Sequence, residues 1–213
     1  MSSFLYQLAL FIHIGGVILL FVAIGAEALA VWGVGRAQTL GEVRLWLRSA
    51  HGPEKLFPLG GALILIAGLY MAITVWQGTP WVVVGLIGLI AFSVAGAVIN
   101  GGRFKAIERA VGEGDGAISD DLRRQRADPT LRVSLWTMSV AALGIVYMMV
   151  IKPDWVGSIA ALVIAMLIGA VAGLLTGQRG AAAQAPASAS EDRAAIAHRA
   201  PSAPSAPGFR RPR

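Results

Sequence analysis

Apolar residues do not alternate along this chain. They come in five long runs, at residues 4–32, 56–76, 81–100, 133–151 and 155–176. A helix rises about 1.5 Å per residue, so about 20 apolar residues cross a bilayer. Each run meets that length. The first exceeds it and must tilt or protrude. The pattern predicts an all-α membrane protein, a bundle of five transmembrane helices within residues 1–176. Residues 177–213 are rich in Ala, Pro, Ser and Arg. Such a composition buries no core and is expected to be disordered, which leaves His198 without structural meaning.

The segments between the runs fall into two kinds. QGTP after Trp76 and KPD after Ile151 are tight turns, each placing Pro beside Trp at a membrane boundary. The other two connections are long. In TLGEVRLWLRSAHGP, Leu40, Val43 and Leu47 share a face and Arg44 and Arg48 another, which predicts a short helix lying on the membrane surface. FKAIERAV extends the third span, GEGDG breaks it, and SDDLRRQRAD forms a further short helix capped by Ser119.

Charge then orients the chain. Of its 18 Lys and Arg residues, all but Lys152 fall in the two long connections or the tail. Basic loops stay in the cytosol, so the N-terminus is expected outside, the C-terminus in the cytosol, and the protein in the bacterial cytoplasmic (inner) membrane. The net charge of +6 is thereby explained by topology, and no nucleic-acid partner is expected; the expected partner is the lipid bilayer. Composition agrees, with 56% hydrophobic and 14% charged residues, against about a quarter charged in soluble domains. The absence of cysteine excludes disulfides, thiolate nucleophiles, iron–sulfur clusters and covalently attached c-type haem.

Candidate chemistry is sparse. No phosphate-binding loop, zinc-protease motif or serine-hydrolase elbow is present, so no catalytic residue and no metal ligand is assigned. The second, third and fifth spans carry no charged residue, which argues against a proton-coupled transporter. The first span holds His13 and Glu27, on a seam with Gly16, Leu20, Ala23 and Ala30 at spacings of three and four. The two ionisable residues are fourteen positions apart, about 21 Å along a helix, and so serve separate purposes. Glu27 is expected to form an ion pair with Arg36, Arg48 or Arg103. His13 is expected to hydrogen-bond a neighbouring helix, for instance Ser139 or Tyr70. Its alternative is axial ligation of a b-type haem, either five-coordinate or with Lys152 or Met148 opposite. In the fifth span Gly157, Ala161, Ala165, Gly169, Gly173 and Gly177 recur every four residues. This predicts close helix packing, within the bundle or with another subunit of a homo-oligomer or larger membrane complex.

Several of these features occur together, in order: FIHIGG, GVGRAQ, FPLGGALILIAGLYM, PW opening the third span, DP-x-L-R before the fourth and MMVIKPDW closing it. Over about residues 5–175 the chain resembles the DUF2269 family of bacterial integral membrane proteins. A fainter likeness links the first-span histidine and the KP closing the fourth to HemJ-type protoporphyrinogen oxidases, and the histidine alone to CopD copper-resistance proteins. Those likenesses imply a haem role for His13, although the third span here has no lysine. The expected function is a non-enzymatic membrane protein or accessory subunit without a cofactor. The alternatives are a haem b redox protein using His13 and a small-molecule permeation protein.

Overall fold

The computed structural model describes residues 3–112 and 118–176. The helices are α1 (Ser3–Arg36), α2 (Leu40–Glu54), α3 (Leu56–Thr74), α4 (Pro80–Val111), α5 (Asp120–Ala127), α6 (Thr130–Ile151) and α7 (Trp155–Thr176). No strand occurs among the described residues. Five helical stretches are long and apolar enough to cross a membrane, so the chain is an all-α, multi-pass membrane protein. Met1–Leu175 cluster as one compact unit. The Ala/Pro/Ser/Arg tail from 177 onward, with Gly177 and His198, lies outside the described residues.

The outward face of the bundle is apolar. Phe11, Ile66, Val98 and Val150 are each about 70% exposed, a surface suited to acyl chains rather than water. Lipid offers no hydrophobic drive for helices to associate, so close backbone contact must supply the attraction. Small residues provide it at two crossings. On α1 and α3, a Cβ at Gly16 would stand 2.9 Å from the Gly60 carbonyl oxygen, and one at Gly60 would stand 3.0 Å from the Gly16 oxygen. On α6 and α7, a Cβ at Gly169 would lie 2.6 Å from Thr137 Cα, and one at Gly144 would lie 2.7 Å from Ala165 Cβ. The α1 seam is turned inward, with His13, Gly16, Ala23 and Ala30 buried.

The two ends of the bundle differ. At the end formed by the short turns, Gly78 supplies a positive φ of 67° and Lys152 closes α6 in the left-handed conformation, φ 55°. Trp76 and Trp81 meet edge to face at 5.4 Å. Lys152 Nζ sits 4.3 Å above the Trp76 ring, which ties the α3–α4 hairpin to the end of α6.

At the opposite, basic end a soluble-type core forms. Val34 and Ala37 of α1 and its exit pack with Leu40, Val43 and Leu47 of α2, Ile107 and Val111 of α4, Leu122 of α5, and Leu131 and Leu135 of α6. The apolar face of α2, which its amphipathic pattern assigned to the membrane surface, is therefore covered by protein. Capping fixes where these helices start. The Thr39 hydroxyl accepts the Glu42 N–H at 3.2 Å, and the Glu42 carboxylate accepts the Gln38 N–H at 2.7 Å, a reciprocal arrangement at the head of α2. Ser119 caps α5 by accepting the Leu122 N–H. Arg126 of α5 reaches back to the Gly35 and Ala37 carbonyls at 2.9 and 2.8 Å, satisfying the open C-terminal end of α1.

Candidate functional site

Between the α1–α3 pair and the α4–α6 pair lies a cavity of about 1280 Å³, closed on one flank by the end of α2. It is larger than the roughly 300–1,000 Å³ typical of small-molecule sites. Its walls are mainly apolar side chains. Trp76, Trp81 and Lys152 stand at the turn end, and His51, Glu54, Lys105 and Glu108 at the basic end. His51 bridges the basic mouth: Nε2 is 3.1 Å from Glu108 of α4 and Nδ1 is 3.4 Å from Glu54. All three of these side chains are substantially exposed, so the bridge contributes little to stability.

Within the cavity wall, His13 and Glu27 occupy separate positions on α1, as their spacing requires. His13 is 7% exposed. Its Nδ1 stands 3.1 Å from the Ile64 carbonyl of α3. A carbonyl only accepts, so Nδ1 carries the proton and Nε2 keeps its lone pair. The ring fits into a notch made by Gly68, where a Cβ would come within 3.1 Å of Nδ1 and Cε1. Asn100 Oδ1 is the buried side-chain polar atom left without a partner among the described residues. His13 Nε2, which has no hydrogen-bond partner among the described residues, is therefore not sealed off and meets the cavity that His13 lines.

The histidine's partner is thus a backbone group rather than Ser139 or Tyr70. Ser139 donates to the Leu135 carbonyl of its own helix, and Tyr70 accepts from Thr74 through its carbonyl. As for the residues considered opposite a haem, Met148 is fully buried against Val84 and Ile145, and Lys152 is engaged with Trp76.

Glu27 is half-buried and also lines the cavity. The structure does not bring Arg36, Arg48 or Arg103 to it as an ion pair. Arg36 stacks on Trp32 at 4.3 Å, Arg48 is exposed, and Arg103 pairs with Asp128. That pairing is local: Asp128 also accepts the Thr130 N–H at 2.8 Å at the start of α6, and Arg103 adds a contact to the Thr130 hydroxyl. Instead, the polar group beside the Glu27 carboxyl is the side chain of Asn100 of α4, and the nearby charged group is a second carboxylate, Glu54. Asn100 is 5% exposed. Its Nδ2 also approaches Met138 Sδ at 3.9 Å. The role of Asn100 has no motif; the available signal was its position as the last, polar residue of an apolar span.

The small residues of α7 do not line the cavity. Ala165 lies under Gly144 and Gly169 against Trp136 and Thr137, while Gly173 faces Val133 and Trp136. The Gly173 carbonyl also accepts from Arg132 Nε at 3.2 Å. Ala161 packs beside Val84 and Ile145, and Gly157 faces Pro153 and Asp154 at the helix start, where Asp154 Oδ1 accepts its N–H at 2.8 Å. The close edge of α7 is thus taken up by α6 of the same chain over most of its length. No family model matches the chain, and no curated protein or solved structure matches it.

Proposed function

We propose that this chain is a polytopic protein of the bacterial cytoplasmic membrane, of the DUF2269 type, that holds an apolar small molecule inside its bundle without transforming it. The single observation that carries this reading is the cavity of about 1280 Å³ between the two helix pairs. Void space of that size in a bundle leaves its walls without partner atoms, so a molecule that fills it restores contact. The non-enzymatic part rests on separation. His13 and Glu27, which line the cavity from α1, stand about 21 Å apart along that helix, too far to act on one reacting bond. The distribution of Lys and Arg supports a cytosolic basic end and an external N-terminus.

The test is retention. Protein purified into lipid nanodiscs is extracted and its organic-soluble content compared with that of Gly61→Phe. Gly61 lines the cavity with no atom within 4 Å of a built Cβ, so phenylalanine fills space without displacing a neighbour. An apolar compound retained by the wild type and lost from this variant is the expected result. Equal retention by both, or no binding of an added apolar dye by either, would refute the reading.

A second reading is favoured by one observation, the His13 tautomer. An imidazole whose Nδ1–H is anchored on a backbone carbonyl and whose Nε2 opens into an apolar cavity could hold a metal through Nε2. In that reading the occupant would be haem b, which His13 would hold and which would supply redox chemistry. A Soret band in the purified protein that disappears in His13→Gln, with membrane insertion intact, identifies it.

A further inference from the structure

α2 carries a second apolar edge that its buried face does not explain. Leu40, Val43 and Leu47 are covered by the core at the basic end. Leu45, on another side of the same helix, is 65% exposed, and Trp32, against which Trp46 packs, is 52% exposed. We propose that this edge is a docking site for an anionic phospholipid of the headgroup layer at the basic end, its phosphate drawn by Arg36 and Arg48 and its apolar body lying against Trp32 and Leu45. The proposal is independent of what the cavity holds.

The edge is assembled from two helices. Gly16 of α1 meets Gly60 of α3, and Gly33 meets Trp46 of α2, so α2 continues the course of α3 alongside α1 instead of lying across it. A Cβ at Gly33 would overlap the Trp46 ring. The ring occupies that notch and meets Trp32 edge to face at 6.4 Å. Arg36, one turn further along α1, lies over the Trp32 ring at 4.3 Å. Stacking engages the guanidinium by its face and leaves its donor edge for a phosphate. Leu45 and Arg48 are three residues apart on α2, and so are neighbours on its surface.

Two observations identify what covers this strip. The first is depth. Tyr6 packs with Trp76 at the turn end, where Trp76 and Trp81 form one aromatic level. Tyr6 and Trp32 lie twenty-six residues apart on one continuous helix, about 39 Å along its axis. A bilayer measures about 40–45 Å with both headgroup layers included, and tryptophan is enriched at both of them. Trp32 and Trp46 therefore form the second aromatic level, at the depth of the opposite headgroups. The second observation is charge. Arg36 and Arg48 are exposed, and neither has a carboxylate partner among the described residues. The acid on this part of α2, Glu42, is engaged with the Gln38 N–H at 2.7 Å. Open guanidiniums beside an apolar strip at headgroup depth complement a lipid phosphate, which accepts paired N–H donors.

The test is lipid selection by the full chain. Protein in nanodiscs of equal parts phosphatidylglycerol and phosphatidylcholine is released in a native mass spectrometer, and the lipid it retains is identified. The wild type is expected to keep phosphatidylglycerol over phosphatidylcholine by about tenfold or more, from two arginines at about fivefold each. Arg36→Gln combined with Arg48→Gln should bring the two lipids within about twofold of each other. Arg123→Gln combined with Arg124→Gln removes the same charge from exposed positions on α5 and should leave the wild-type preference in place. Arg48→Gln alone should lower the preference about fivefold. Its side chain is exposed and forms no ion pair among the described residues, so this variant keeps the test decisive if removing Arg36 from Trp32 disturbs folding. Equal retention of both lipids by the wild type would overturn the assignment and leave the strip to a protein partner. A preference that survives the Arg36 and Arg48 changes, or that falls equally with the Arg123 and Arg124 changes, would also overturn it, because the selection would then belong to the basic end as a whole.

Discussion

Gly169→Ala adds one methyl group, and the structure sets what that methyl meets. It would stand 2.6 Å from both Thr137 Cα and the Trp136 carbonyl oxygen. Both are backbone atoms of α6, so no rotamer change makes room. Carbon atoms rest comfortably at about 3.5–4.0 Å, and α6 and α7 must therefore part by about 1 Å. A gap of that size forfeits a quarter to a half of each contact, worth about 0.1–0.2 kcal/mol apiece. Spread over on the order of 40 atom pairs along the crossing, the loss is about 1.5–3 kcal/mol, within the usual range for overpacking. Alanine's better helix propensity returns about 1 kcal/mol, leaving a net destabilisation of about 0.5–2 kcal/mol. Gly25→Ala provides the control. Gly25 faces outward with nothing within 4 Å of a built Cβ, so only the propensity gain operates and the change is neutral or mildly stabilising. Reversible unfolding in mixed micelles with increasing dodecyl sulfate measures both, with Trp136 as a reporter at the crossing. If Gly169→Ala proves as stable as the wild type, or if both variants shift alike, close approach at this crossing is not what holds α7 in place.

Arg126→Ala removes the guanidinium that donates to the Gly35 and Ala37 carbonyls. It should destabilise the α1–α2 junction by about 1–2 kcal/mol, allowing for partial exposure, and Arg126→Lys should rescue part of the loss, because both bonds come from the single nitrogen Nη2 and an ammonium has donors enough for both. Hydrogen exchange of the amides at residues 33–43 reads this directly, and unchanged protection in Arg126→Ala counts against the capping role. The charge distribution further predicts that a single cysteine at Thr79 is labelled by an impermeant thiol reagent in intact cells and one at Ser49 is not; the reverse pattern would invert the topology.

Much of this architecture is legible in the chain because it depends on local order. Span length, the α1 seam of His13, Gly16, Ala23 and Ala30, and the Ser119 cap are all set by neighbours a few residues apart. The partners of the two ionisable residues were not legible, for a common reason. His13 bonds a main-chain carbonyl, that of Ile64, and a carbonyl is present at every residue. Its selection depends on how Gly68 admits the ring, which is decided only when α1 and α3 meet. Glu27 offered three arginines as partners by proximity in sequence and charge, yet Arg103 is held by Asp128, which also bonds Thr130. Local competition of this kind defeats sign-matching. The cavity itself has no sequence signature, since it reflects how far two helix pairs stand apart.

The apolar face of α2 also constrains how the protein is made. Leu40, Val43 and Leu47 are covered by Ile107, Val111, Leu122, Leu131 and Leu135, all of them synthesised later. At ~5–20 residues per second, the roughly 90 residues between Leu47 and Leu135 take about 5–20 s to emerge from the ribosome. During that interval the face has no protein partner, and the headgroup layer is the surface that can shelter it. An apolar face that waits this long for its partners leads to the prediction that this face of α2 is sheltered by the headgroup layer during translation and leaves it for α4, α5 and α6 once they arrive. A substitution such as Val43→Asp would then act twice, loosening the waiting helix from the lipid and later leaving a charge in the finished core, so its defect should appear in the yield of inserted protein before it appears in the stability of what survives.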